Sequence, residues 1–221
     1  TAKLLAPKSN RLKESLKAAV HAVALEAGGV DLILLKADLL LTEGSVSASE
    51  ESLVKALDKY SMNGELRAKV ATRYLLDGRI DDAQRLLDET PVGIDHALLH
   101  VVEGRLHLAN ADRTRDGTGE TDSTLLSVAI SAFENALKLN RELGVAWLGL
   151  ARTNRLLNNI DSADEAIARA GRLLSEEDPS VAAESALLAL DKGDIATAAQ
   201  QIGVADIHGQ RAVITYVRGN I

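Results

Sequence analysis

The sequence predicts an all-α protein assembled from repeated helix pairs, and three observations predict it. Small residues recur along the 221-residue chain at nearly constant spacing. Short turns containing Gly or Asn, each followed by an apolar residue, recur between them. Alternating β-branched runs, the mark of a half-buried strand, do not occur, and only 3 prolines interrupt the chain.

The elements follow in order. Arg11 to Glu26 reads as one amphipathic helix with Leu12, Leu16, Ala19, Val20 and Val23 on one side. It would be the second helix of a preceding unit, so residues 1–29 form a half-repeat or capping helix. Five units follow at 30–63, 64–96, 97–143, 144–178 and 179–209. In the first, Ala37, Ser49, Leu53 and Ala56 are spaced by twelve, four and three. The same spacings recur at Ala71, Ala83, Leu87 and Thr90, at Ala151, Ala163, Ile167 and Ala170, and at Ala186, Ala198, Ile202 and Ala205. The middle unit keeps the four and three in Ala129, Phe133 and Ala136 but lies 25 residues beyond its anchor Gly104.

Each spacing has a physical reading. Small side chains let two helix axes approach, while Leu, Ile or Phe fills the groove beside them. The turns are Gly44-Ser45-Val46, Gly78-Arg79-Ile80, Asn158-Asn159-Ile160 and Gly193-Asp194-Ile195. Gly and Asn tolerate the left-handed conformation that ends a helix. Asp81, Asp161 and Asp194 then put negative charge at the start of the next helix, where its dipole favours it. The extra residues of the middle unit fall within 109–124, ANADRTRDGTGETDST, and read as a solvent loop or locally disordered insertion. Gln210 to Arg218 reads as a first helix, making 210–221 a terminal element. Both ends stop mid-repeat, so the chain is expected to be an excised piece of a longer repeat protein. The rival expectation is that its terminal helices are natural caps.

Trp147-x-x-Leu150-Ala151 followed by Ala163-x-x-x-Ile167-x-x-Ala170 resembles a tetratricopeptide repeat, and Tyr74 stands three residues after Ala71 as that family's tyrosine does. The resemblance covers roughly Val30 to Gly209 and implies a right-handed α-solenoid forming one repeat domain over 1–221. Ala/Leu-rich repeats with few aromatics look like bacterial members of envelope assembly, secretion or polysaccharide export.

Composition removes several classes of function. Apolar residues at 46% and charged residues at 26% are ordinary for a folded soluble chain. A net charge of −7 argues against a nucleic-acid backbone as main partner. The aromatics, Tyr60, Tyr74, Phe133, Trp147 and Tyr216, are too few for base-stacking platforms. No cysteine is present, which removes thiol and thiolate-metal chemistry. The most apolar stretch, Val30 to Leu41, carries Asp31, Lys36 and Asp38 and is shorter than the roughly 20 residues of a membrane span. The first residues, TAKLLAPKSN, lack a basic region followed by an unbroken apolar run and are not expected to be a signal peptide. A periplasmic or cytoplasmic protein without membrane insertion is expected.

Candidate chemistry is sparse. His96, His100, Glu103 and His107 lie on one helix face and could ligate a metal, yet His100 and His107 occupy packing positions of other repeats, so no metal and no cofactor is expected. Asp112, Asp116 and Glu120 fail the calcium-loop pattern because Thr114 and Ser123 stand where ligands are needed. No nucleophile elbow or phosphate loop occurs. An enzyme is not expected. The resemblance implies instead a concave groove lined by first helices. Leu34, Asp38, Leu41, Thr72, Leu75, Val101, Arg105, Leu108, Leu148, Arg152, Arg155, Leu187 and Leu190 would face it. This apolar channel with a basic centre suits a protein or peptide with acidic residues. Salt bridges from the arginines to acids such as Glu142 or Asp164 would reduce that centre to an ordinary surface. The expected function is a binding scaffold. The alternative is a regulatory or sensor domain of a larger enzyme or transcription regulator, and self-association through terminal helices is a further expectation.

Overall fold

The turns between helices set the architecture, because each stops one helix and reverses the chain into the next. A computed structural model describes residues 13–23, 29–118, 122–175 and 178–207. Eleven helices occur among them, and no strand does. They are α1 (residues 13–23), α2 (Gly29–Glu43), α3 (Val46–Lys59), α4 (Gly64–Leu76), α5 (Ile80–Asp88) and α6 (Ala97–Thr118). After these come α7 (Ser123–Leu139), α8 (Gly144–Leu156), α9 (Ile160–Leu174), α10 (Pro179–Asp191) and α11 (Ile195–Ile207). The chain falls into two compact units, Thr1–Asp95 and His96–Ile221.

The four predicted turns share one hydrogen-bond pattern. After α4, the Gly78 N–H donates to the Leu75 carbonyl at 3.1 Å and the Arg79 N–H to Tyr74 at 2.8 Å. This is the double bond of a Schellman cap, which needs a left-handed residue at its centre; Gly78 has φ 72°. After α8 the same bonds run from Asn158 to Arg155 and from Asn159 to Asn154, with Asn158 at φ 60°. Asparagine adopts this conformation at lower cost than other residues bearing a Cβ. The turns at Gly44 and Gly193 repeat the pair of bonds. Helix starts are equally local. The Asp122 carboxylate accepts from the Thr124 and Leu125 N–H groups, and Asp178 does so for Ser180 and Val181 ahead of Pro179.

The small-residue anchors Ala37, Ser49, Ala71, Ala83, Ala151, Ala163, Ala186 and Ala198 are all buried. In the first unit Ala37 and Ser49 are wholly buried, and the Ser49 hydroxyl donates to the Ala37 carbonyl at 2.9 Å. Serine can therefore stand where the other repeats carry alanine, since its one polar atom is satisfied. Arg67 of α4 is also buried; its guanidinium donates to the Leu86 carbonyl at 2.9 Å, near the end of α5. In the second unit, α6 pairs with α7, α8 with α9 and α10 with α11, while α6, α8 and α10 lie in contact in series. Phe133 of α7 is fully buried where α6 and α8 meet. Carbon atoms of its ring lie 2.7 Å from where a Cβ on Gly104 would stand, and 2.4 Å from that of Gly149. Two glycines thus make the slot for the chain's single phenylalanine.

The insertion differs from its expectation. Residues 109–118 are helical and continue α6, which reaches 22 residues. Ala111 packs into the core and Asp112 pairs with Arg115 and Arg152, so a polar composition is compatible with helix once one face has neighbours. The predicted terminal helix 210–218, Leu12 and the side chain of Ala205 lie outside the described residues.

Candidate functional site

The thirteen groove residues divide between the two units. In the first, α2 carries Leu34, Asp38 and Leu41, and α4 carries Thr72 and Leu75. Leu34 belongs to the core, so it lines nothing. Asp38 accepts both carboxylate contacts from Lys69, at 2.8 and 2.9 Å, which ties α2 to α4. Leu41 is exposed, and Thr72 and Leu75 are half-buried.

In the second unit the basic centre lies on α6 and α8. Val101 and Leu108 point into the core instead of a groove. Leu148, Leu187 and Leu190 are half-buried beside the cores. The arginines differ from one another. Arg152 donates to Asp112 of α6 at 2.7 Å. Arg155 bonds Glu184 and reaches Asp191 at 3.2 Å, both on α10. Neither uses Glu142 or Asp164; the latter pairs with Lys192. Arg105 has no hydrogen bond or ion pair among the described residues. Burial pushes its guanidinium below the usual arginine range, and the nearby Arg152 charge adds to that. Burial alone would also lower Arg155, but Glu184 and Asp191 outweigh it and hold its pKa above the usual value.

The face formed by α6, α8 and α10 is therefore crossed by ion pairs, with one half-buried cation left over. The acids were not anticipated, although Glu184, Leu187 and Asp191 stand at helical spacing on one face of α10. Glu184 is itself 7% exposed, rare for a carboxylate without a partner.

The histidine stripe does not converge. His96 Nδ1 accepts from the Leu98 N–H at 3.3 Å at the start of α6. His100 Nδ1 lies 3.3 Å from Glu103 Oε2, while the buried His107 Nδ1 has no hydrogen-bond partner. Among the described residues no three His, Asp or Glu side chains are grouped to hold a metal ion. No described helix is long and apolar enough to cross a membrane.

Capped helix pairs whose first helices stack in series define a helical-repeat protein. Within that class the fold is the tetratricopeptide-repeat fold, as comparison with solved structures bears out. A tetratricopeptide-repeat protein of Thermus thermophilus, TTC0263, superposes with TM-score 0.62 at 17% identity, covering 95% of this chain and 98% of that one. Human IFIT1, in a dimer with m7Gppp-AAAA, gives TM-score 0.65 at 23% identity over 89% of this chain and 46% of its own. PilW, described as a widely conserved type IV pilus biogenesis factor, gives 0.60 at 12% identity over 97% and 94%. In sequence, the chain is 27% identical over 176 residues to human IFIT1 homolog B, which is 74% of this chain but 36% of that protein. The chain thus spans about a third of that relative's length. No protein-family model matches the chain.

Proposed function

We propose that the chain is a non-enzymatic scaffold that binds a protein or peptide on the α6–α8–α10 face, with Arg105 receiving an acidic group of the partner. The observation that carries this reading is the unpaired, half-buried Arg105. A desolvated guanidinium without an anion is costly, and a ligand carboxylate offsets that cost by a charge-assisted bond. Leu148 and Leu187 supply half-buried apolar surface on the neighbouring first helices. The fold likeness to PilW supports a place in a bacterial envelope or secretion assembly. A regulatory or sensor domain of a larger enzyme or transcription regulator is the alternative.

A second reading is binding of an m7Gppp-bearing oligonucleotide, favoured by the likeness to IFIT1 in its dimer with m7Gppp-AAAA. The net charge of −7 and the commitment of Arg152 and Arg155 to ion pairs weigh against it. Selection from a displayed peptide library separates the readings. Selected peptides should be rich in Glu or Asp beside apolar residues, and should lose affinity for Arg105→Gln. No selected peptide, or peptides indifferent to that substitution, would overturn the scaffold reading at this face. Arg105-dependent binding of the m7Gppp-AAAA oligonucleotide would transfer the site to RNA.

A further inference from the structure

The first unit contains a separate cleft of about 660 Å³ between α1, α2 and α3. Its floor is aliphatic: Val20 and Val23 of α1, and Leu32, Ile33 and Leu40 of α2. Along α3, Ala48, Ser52 and Ala56 line it at every fourth position. Small residues in such a row let a second helix axis come close. Helix α3 also packs against α4. The cleft runs beside α3 from Ala48 to Tyr60, about 18 Å at the rise of an α-helix, enough for three turns of a partner helix.

The rim selects the occupant. Among the described residues that line the cleft, Lys36, Lys55 and Lys59 stand against one carboxylate, that of Glu51. Lys59 lies over the Tyr60 ring, 5.6 Å from its centre. Lys36 and Lys55 make no ion pair among the described residues. A local excess of positive charge in a protein of net charge −7 is complementary to an acidic ligand.

We infer that this cleft docks an acidic amphipathic helix of a protein partner. The helix lays leucine-type side chains between α2 and α3, and its glutamates or aspartates meet Lys36 and Lys55. Aliphatic walls take the i, i+3, i+4 and i+7 side chains of such a helix, and the row of small residues on α3 admits its backbone. The site is distinct from the Arg105 face, and neither depends on the other.

The test uses the full chain and a labelled 14-residue helical peptide with leucine at every third and fourth position and glutamate elsewhere, followed by fluorescence anisotropy. The native protein should bind it, with affinity falling as salt rises. Lys36→Glu/Lys55→Glu should weaken binding on the order of tenfold or more and should take up the same peptide with lysine in place of glutamate. Ala48→Trp, at an exposed position on the cleft, should block both peptides while far-UV circular dichroism stays native. Failure of the glutamate peptide to bind, or equal binding by the charge-reversed variant, would overturn the inference. So would lysine-dependent binding of laurate or of phosphatidylserine vesicles without binding of the peptide. Arg105→Gln should bind the peptide as the native protein does; loss there would place the peptide on the other face and overturn the inference as well.

Discussion

Gly149→Ala puts a methyl group where the Phe133 ring already stands. The added Cβ would lie 2.4 Å from two ring carbons, against about 3.5–4.0 Å for carbon atoms in favourable contact. The ring would need to retreat by more than 1 Å, and the same ring carbons already stand against Gly104. Phe133 is fully buried, so no solvent-facing rotamer relieves the clash without opening the core. Overpacking of this kind costs about 3 kcal/mol at the upper end of its range. Alanine recovers about 1 kcal/mol of helix propensity over glycine. A net loss of about 2 kcal/mol is expected. Gly203→Ala is the control: it lies in α11 with nothing within 4 Å of its Cβ position, and should stabilise by roughly 0.5–1 kcal/mol. Trp147, the chain's single tryptophan, lies two residues from Gly149 in the same helix, so urea denaturation followed by its fluorescence reads the second unit. Phe133→Leu combined with Gly149→Ala should be less destabilised than the sum of the two changes, with a coupling of about 1 kcal/mol or more. A Gly149→Ala protein as stable as Gly203→Ala would refute the placement of Phe133 between α6 and α8.

Two further outcomes follow from the charged groups. Glu184→Gln leaves the half-buried Arg155 with the more exposed Asp191 as its remaining carboxylate, so a loss of about 2 kcal/mol is expected in the same denaturation assay; a loss below about 0.5 kcal/mol would mean the pair is open to solvent. The Asp77 carboxyl is held below its ordinary value of 3.8 chiefly by its hydrogen bond from Arg73. A depressed carboxyl stabilises above its unfolded pKa and loses that contribution as pH falls through the folded one. The acid limb of a pH–stability profile should therefore be shallower in Asp77→Asn than in the native protein below about pH 4, and identical limbs would show that the contact does not persist in solution.

Much of the fold is legible in the sequence because its causes are local. The turn at Asn158 is set by what its own backbone can adopt, and the Asp178 cap by a carboxylate two and three residues from its donors. The anchor spacing holds even where Ser49 replaces alanine, since helical periodicity fixes which face a residue occupies. The insertion departs from its expectation because its composition is that of a loop. Its helix depends on Ala111 and Asp112 meeting residues that are distant in sequence. The groove is legible only in part: Leu34, Val101 and Leu108 share a helical stripe with surface residues, and periodicity does not say how far the neighbouring helix covers that stripe.

The sequence alone therefore determined the all-α repeat, the four helix reversals at Gly44, Gly78, Asn158 and Gly193 and the small residues beside them, because all of these follow from backbone preference and a 3.6-residue period. Tertiary structure decided which charges find partners. Arg105, Arg152 and Arg155 look alike in sequence, yet Asp112, Glu184 and Asp191 answer two of them and leave the third. Those partners lie 29 to 40 residues from their arginines along the chain, and only the stacking of α6, α8 and α10 brings them within the few ångströms over which a charge-assisted hydrogen bond acts.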